Sequence, residues 1–182
     1  MTARIAPAEA PFSAEIQAAL DKVMPAGMKP LALFTTLARD ERLFRKFLAG
    51  SLLDRGHLTL RQREIVIDRT TARCGSEYEW GIHVALFAER AVLTEAQNTS
   101  LVHGDADDPC WNEVDRVLVQ MCDELHDRSS ITQQTWLRLR EQFTEEAILE
   151  LLMLAGFYRT VSYLTNALQL PLEAQGRRFP RL

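Results

Sequence analysis

The stretch of sequence that decides the fold runs from Leu58 to Val92 and reads LTLRQREIVIDRTTARCGSEYEWGIHVALFAERAV. It consists of two helical patterns separated by Cys74-Gly75, because glycine commonly interrupts a helix. The second pattern is apolar on nearly every side, which is typical of a helix buried inside a protein. The stretch therefore predicts a central helical hairpin around which the rest of the chain packs.

Both helices of this hairpin begin with a recognisable start signal. Thr59 with Gln62, and Ser76 with Glu79, show the Ser/Thr-x-x-Glu/Gln spacing of a capping box. In such a box each side chain bonds to the backbone amide of the other residue. The spacing predicts helix starts at Thr59 and Ser76.

Three ionisable side chains in the hairpin form a candidate site. Glu64 shares one face of the first helix with apolar or small residues, namely Leu60, Ile67, Thr71 and Cys74. His83 is the one strongly polar residue in the apolar run Trp80–Ala88, and Glu79 lies one turn before it. We expect His83 to be buried and to hydrogen-bond to Glu64 or Glu79, since an unpaired buried imidazole is costly.

Two interpretations of Glu64, Glu79 and His83 stay open from spacing alone. Carboxyl and imidazole groups near each other can hold a proton donor and an acceptor close to neutral pH. Alternatively, Glu79 only caps its helix and Glu64 with His83 is a structural pair. One histidine and two carboxylates are a thin ligand set, so we predict no metal and no other cofactor.

Length and composition indicate one soluble domain, residues 1–182. The chain is 47% apolar and 25% charged, and its net charge of −4 argues against general nucleic-acid binding. No early segment resembles a signal peptide, and no apolar run is long enough to predict a membrane span. Three widely spaced cysteines do not indicate a disulfide framework. We expect a cytoplasmic protein that binds neither nucleic acid nor a membrane.

Outside the hairpin the sequence predicts more helices and no strands, and hence an all-α fold. Residues 1–12 are expected to form an extended N-terminal arm, and the basic residues 176–182 a mobile tail. Further helix starts are indicated by capping residues at Ser13, Asp40, Thr94, Thr132 and Thr144.

Two of these helices carry more detailed expectations. The helix that starts at Asp40 is expected to run to about Leu53 with Leu43 facing inward. The last helix, predicted to end near Leu168, contains Gly156 in its middle. Because glycine lowers helix stability, Gly156 predicts a close helix–helix contact.

The hairpin resembles a known family at its most distinctive residues. Arg63-Glu64, the run Cys74–Trp80 (CGSEYEW) and His83 resemble the carboxymuconolactone decarboxylase family, which includes alkylhydroperoxidase D. Weaker similarity extends over Pro30–Leu93 and Leu151–Leu168. The resemblance implies an all-α bundle of the alkylhydroperoxidase D-like type, assembly into homo-oligomers, and an active site at the helix pair.

The peroxidase members of this family carry a glutamate, a Cys-x-x-Cys pair, and a histidine four residues after the second cysteine. That pattern corresponds here to Glu64, Ser76, Glu79 and His83, so both redox cysteines are replaced. A dithiol–disulfide cycle needs two sulfur atoms within bonding reach, so it cannot operate at these positions. Cys74 lies two residues before the first cysteine position.

The resemblance thus implies a carboxymuconolactone decarboxylase-like enzyme, of lyase type, that acts on a small molecule, for which the anionic lactone of the decarboxylase branch is the example. Glu64, Glu79 and His83 would be catalytic, and the pocket would be lined by Cys74, Ser76, Tyr78 and Trp80. One alternative is a peroxidase of peroxiredoxin type, an alkylhydroperoxidase-like oxidoreductase that uses a single thiol at Cys74. The other is a non-catalytic oligomeric helical protein.

Overall fold

The computed structural model describes residues 3–25 and 27–181; Met1 and Thr2 of the predicted arm, Ala26, and Leu182 of the predicted tail lie outside them. The described residues form nine helices and contain no strand, which confirms the all-α prediction. The helices are α1 (Ala14–Val23), α2 (Ala32–Leu37), α3 (Glu41–Ala49), α4 (Leu60–Arg73), α5 (Glu77–Phe87), α6 (Glu95–His103), α7 (Glu113–Arg128), α8 (Gln133–Gln142) and α9 (Glu145–Leu168).

The predicted hairpin, α4 and α5, lies at the centre of the fold. Helix α4 packs against α5, α6, α7 and α9, so it is enclosed on almost every side. Its residues Ile65, Val66 and Ile67 are consecutive and all fully buried, which a helix with one exposed face does not allow. Even Arg69 is buried, where it forms an ion pair with Asp123 of α7. Helix α4 therefore holds three charged or ionisable side chains, Glu64, Asp68 and Arg69, inside the protein.

The start signals of the hairpin helices have different outcomes. Thr59 and Gln62 form the predicted capping box at the start of α4. The box predicted for α5 is wrong, because Ser76 makes no capping bond there. Its hydroxyl lies 2.7 Å from the hydroxyl of Thr165 on α9 instead. The Ser76 hydroxyl is therefore engaged by α9 and does not cap α5. Glu79 is not part of a capping box and is available for another role.

Helix α3 is shorter than the sequence predicted, and this difference shapes the interior. Asp40 caps it as expected, but it ends at Ala49 and not near Leu53. Leu52 then takes a left-handed conformation (φ 50°), which turns the chain out of the helical path. Leu43 is 45% exposed, so its predicted inward orientation is also wrong. The turn after α3 brings Ser51 and Leu53 to the wall of a cavity described below.

The two terminal segments run across the chain's own surface. In the arm, the amide of Arg4 donates to the carbonyl of Leu168 at 2.8 Å, at the end of α9. In the tail, the amide of Arg177 donates to the carbonyl of Gly81 at 3.0 Å. A side chain at position 81 would collide with the Arg177 carbonyl, so this approach requires glycine. The structure thus differs from the expectation of a mobile tail.

Helix α9 is both a core element and a surface element. By length and apolar composition alone it would also pass as a membrane-spanning helix, a property that buried core helices share. Its buried residues face α4 and α5, but a β-carbon added at Gly156 would meet no described atom within 4 Å. The close contact predicted at Gly156 is therefore wrong within one chain. Leu149, Met153 and Tyr163 on the same face are about 60% exposed.

We propose that this exposed face of α9 is where the chain self-associates. Leu149, Met153, Gly156, Thr160 and Tyr163 alternate spacings of four and three residues, as in the seam of a coiled coil. Leu149 and Tyr163 lie equally far on either side of Gly156 in the sequence. Two antiparallel copies of α9 that cross at Gly156 would therefore place each leucine against the other copy's tyrosine, as a two-fold interface requires.

A single charge on this face tests self-association. We expect Met153→Arg to convert the oligomer to a monomer in sedimentation velocity at micromolar concentration, because it buries an unpaired charge at the seam. Leu137→Arg is the matched control, since Leu137 is similarly exposed (54%) but lies on α8. A wild-type protein that sediments as a monomer would contradict the proposal.

Candidate active site

The three residues predicted to form a site are brought together between α4 and α5. Nδ1 of His83 lies 2.7 Å from Oε2 of Glu64, and Nε2 of His83 lies 3.5 Å from Oε1 of Glu79. All three side chains are buried, with Glu64 only 1% exposed. The imidazole therefore bridges two carboxyl groups, one on each ring nitrogen. The predicted hydrogen-bond partner of His83 is confirmed as Glu64.

This arrangement favours a protonated His83. Burial alone lowers the pKa of His83, but Glu64, followed by Glu79, outweighs burial and raises that pKa to about 10. A neutral imidazole has one nitrogen without a proton, and that nitrogen would face a carboxylate unfavourably. His83 is thus an imidazolium at neutral pH, with a proton on each ring nitrogen.

A third carboxyl group, Asp68, belongs to the same cluster. It lies one turn after Glu64 on α4, is fully buried, and neither of its oxygen atoms has a hydrogen-bond partner among the described residues. Burial and then Glu64 raise the pKa of Asp68 well above its usual range, with a smaller contribution from Glu79, while His83 opposes them. Asp68 is therefore held in its neutral, protonated form.

The imidazole edge faces an apolar cavity of about 120 Å³. Glu79 and His83 line it, whereas Glu64 and Asp68 lie behind them. The ring of Tyr158 packs edge-on against His83 with centroids 5.0 Å apart, and burial raises the pKa of its phenol well above the ordinary value. The other walls come from α1, α2, α3 and α9 and from the end of α5, and include Phe34, Phe47, Leu48, Phe87 and Phe157.

The side chains that the sequence placed in the pocket lie elsewhere. Ser76, Tyr78 and Trp80 do not line the cavity. The hydroxyl of Tyr78 donates to Glu173 at 2.5 Å, and the Trp80 ring is buried against Phe179 of the tail. These three residues contact α9, the segment that follows it, and the tail, and none of them faces the cavity.

Cys74 also lies outside the cavity. It is half-buried at the end of α4, with its sulfur 3.8 Å from Nδ1 of His126. Burial raises the pKa of the Cys74 thiol, although Arg159, Ser162 and Arg73 oppose the effect. Burial and two arginines lower the pKa of His126, so the imidazole is uncharged at neutral pH. The thiol has no imidazolium beside it that would stabilise a thiolate.

Sequence reasoning missed Asp68, Tyr158 and the phenylalanine walls. Asp68 had a usable signal, since it follows Glu64 by four residues, directly after the apolar run Ile65–Ile67. Tyr158 and the walls had none, because most of them come from helices far from the hairpin in sequence. Within residues 3–25 and 27–181, no group of three His, Cys, Asp or Glu side chains is arranged to hold a metal ion.

No protein-family model matches the sequence, and no curated protein matches it either. Solved structures do match the fold. An uncharacterized peroxidase-related protein from Silicibacter sp. TM1040 superposes with a TM-score of 0.82 at 17% identity, over 96% of this chain and 93% of the other. The alkylhydroperoxidase AhpD core protein from Ralstonia eutropha JMP134, also described as peroxidase-related, gives 0.70 at 17% identity over 94% of both chains.

A third similar structure comes from an enzyme with a stated activity. A cysteine-to-alanine variant of the debrominase Bmp8, in complex with 2,3,4-tribromopyrrole, has a TM-score of 0.80 at 13% identity, over 96% of this chain and 94% of the other. The fold is thus that of the alkylhydroperoxidase D-like proteins, as the resemblance of the hairpin implied. At these identities the likeness concerns the fold, and it does not extend to decarboxylase activity.

The protonation states of two histidines provide a direct test of the site. We expect the His83 ring to remain an imidazolium at pH 8, because its pKa is raised to about 10, while the pKa of His126 is lowered and its ring is neutral there. Side-chain ¹⁵N NMR shifts distinguish the two forms, and His83→Gln and His126→Gln assign the signals. A neutral His83 at pH 8 would contradict the bridged arrangement.

Asp68 is expected to make stability depend on pH. Its folded-state pKa is raised above the unfolded value of about 3.9, so its contribution to stability is complete below about pH 4 and is lost as pH rises toward the folded-state pKa. Asp68→Asn stays neutral, so its unfolding free energy should gain on the wild type above about pH 4, by at most about 1.4 kcal/mol per pH unit.

Urea unfolding between pH 4 and pH 8 measures this difference. Asp54→Asn is the control, because Asp54 is exposed in the loop before α4 and its replacement should leave the pH dependence unchanged. A constant difference between wild type and Asp68→Asn over this range would show that Asp68 is not held protonated.

Proposed function

We propose that the protein is an acid–base enzyme that moves protons to or from a small molecule bound in the cavity beside His83. The observation that carries this proposal is that both ring nitrogens of His83 face carboxyl groups while the ring itself borders an apolar cavity. Perturbed ionisable groups beside a cavity are typical of active sites. The occurrence of enzymes such as a debrominase on the same fold supports an enzymatic role.

Each side chain of the cluster has a distinct part in this proposal. Glu79 contacts the bound molecule and accepts its proton, since it lines the cavity and is not used as a helix cap. His83, with its positive charge, stabilises negative charge that develops on the molecule and can return a proton. Glu64 does not reach the cavity; it is a positioning residue that orients the imidazole and keeps it protonated.

The lining favours a neutral substrate over the anionic one that the family resemblance implies. Among the described residues around the cavity there is no lysine or arginine, and two of the few polar groups are Glu79 and His83. A carboxylate would enter an apolar space next to Glu79 without a cation free to pair with it. We therefore place a lyase-like or isomerase-like proton transfer on a neutral molecule ahead of a lactone carboxylate, and this reaction needs no cofactor.

The two rival functions have less support from geometry. A peroxidase that uses Cys74 needs an accessible thiolate, and burial raises the pKa of this thiol. A non-catalytic oligomeric protein would have a use for a buried Glu64–His83 pair. A structural role does not explain Glu79, whose Oε2 atom is buried and has no hydrogen-bond partner among the described residues, because such an atom lowers stability.

Exchange of the α-protons of cyclopentanone in D2O, followed by NMR, tests acid–base competence with a small neutral molecule. Glu79 would take a proton from carbon while the electron pair moves onto the carbonyl oxygen, and return of a deuteron would complete the exchange. We expect His83→Gln to slow the exchange about 100-fold, because an amide cannot titrate. The variant should fold, with a stability loss on the order of 1–3 kcal/mol.

The controls separate the rival functions. Cys74→Ser should exchange cyclopentanone at the wild-type rate, whereas a thiol mechanism requires a loss in this variant. Glu79→Gln, which leaves the Glu64–His83 pair intact, should also be slow. Wild-type exchange at the rate of buffer alone would exclude the acid–base proposal in favour of the non-catalytic alternative, and unchanged exchange in folded His83→Gln would remove His83 from the mechanism.

A further inference from the structure

The cavity contains a polar atom that has no partner within the described residues. Glu79 is 7% exposed, and its Oε1 atom lies 3.5 Å from His83, but its Oε2 atom accepts no hydrogen bond from any of them. A buried carboxylate oxygen without a donor costs free energy, which a donor on a bound molecule would recover. Because Glu79 lines the cavity, that molecule can supply the donor from inside it.

The aromatic walls around Glu79 indicate what the remainder of the bound ligand is like. The rings of Phe47 and Phe157 lie 5.0 Å apart between centroids, tilted by 45°, and the ring of Phe34 lies 6.3 Å from that of Phe47. Together with Phe87, which also lines the cavity, these rings offer faces and edges suited to another aromatic ring. The volume of about 120 Å³ is near that of a cavity of about 150 Å³ that binds benzene, so there is room for one ring.

The charges of the side chains at the cavity also restrict the charge of the ligand. The cluster at the cavity contains three carboxyl groups, from Glu64 and Asp68 behind the wall and Glu79 in it, and the cation His83 faces them. Burial, and then the charge of Glu64, raise the pKa of Asp68, so a further negative charge in this cluster is unfavourable. An anionic ligand would add to this excess, whereas a neutral donor would not.

We propose that the cavity binds a neutral, single-ring aromatic molecule with one O–H or N–H group, and that this group donates its hydrogen bond to Oε2 of Glu79. The proposal rests on the proposed function in one respect, since it gives the substrate class of the same site. Glu79 then serves as a specificity determinant in addition to its role as the base.

Binding of three small probes to the wild-type protein tests the proposal without any need for turnover. Phenol has the donor, fluorobenzene has a similar size without it, and benzoate carries a negative charge. We expect titration calorimetry to show phenol binding at least about 10-fold more tightly than fluorobenzene, since a hydrogen bond to a charged acceptor is worth about one to two powers of ten in affinity. Benzoate should bind at least about 10-fold more weakly than phenol.

Variants of α5 assign the discrimination to one atom. Glu79→Gln should reduce the preference for phenol over fluorobenzene to about 3-fold or less, because a neutral amide is a weaker acceptor. Glu79→Met, which has no strong acceptor, should abolish it. Glu77→Gln is the matched control on the same helix, because Glu77 bonds to the tail residues Arg178 and Phe179 and not to the cavity.

The outcomes separate this inference from the proposed function. Equal affinity for phenol and fluorobenzene, binding of benzoate as tight as that of phenol, an unchanged preference in Glu79→Gln, or no phenol binding would each overturn the inference. These results concern binding alone, whereas cyclopentanone exchange measures turnover and requires His83 as well as Glu79. Conversely, selective phenol binding without exchange would retain the ligand class and reject the enzymatic role. If both hold, phenol should inhibit the exchange competitively.

Discussion

The rest of the structure depends on the buried hydrogen bond between Glu64 and His83, which joins α4 to α5 at 2.7 Å. Removing two charges from water costs free energy, and only their mutual attraction offsets this cost. Loss of either partner would leave the other charge buried and unpaired. The surrounding helices bury the pair. Tyr158 of α9 packs on the imidazole, and aromatic residues of α2 and α3 form the far side of the cavity. The hairpin is thus central because it contains the groups that most need enclosure.

The cluster around this pair contains more carboxyl groups than a structural role requires. One imidazolium balances one carboxylate, and yet Asp68 and Glu79 are buried beside it with oxygen atoms that accept no hydrogen bond from the described residues. Side chains that only stabilise a fold are normally satisfied, and groups that cost stability concentrate at functional sites. The additional carboxyl groups, which lower the stability of the interior, therefore support the acid–base chemistry proposed for this site.

Much of the local structure was predictable from sequence, because it depends on neighbours in the chain. Thr59 and Thr94 form the expected capping boxes, and α9 has the expected bounds. The cost of an unpaired buried imidazole predicted a glutamate partner for His83, and the structure shows that of Glu64 and Glu79 it is Glu64 that lies at hydrogen-bond distance. The cavity walls did not follow, because the approach of Phe34 and Phe157 to the hairpin depends on tertiary packing. Ser76 shows the same limit, since Thr165, distant in sequence, engages it. The catalytic roles of Glu64, Glu79 and His83 stay predictions.

The docking of the N-terminal arm on the end of α9 has a consequence for how the protein is made. The wall formed by Phe157 and Tyr158 belongs to α9, which follows α4 and α5 in the chain, and the arm bonds to the end of that helix through Arg4 and Leu168. Because synthesis proceeds from the N-terminus, α4 and α5 are made before the helix that covers His83. The cavity beside His83 is therefore completed only after α9 has been made and has packed against the hairpin.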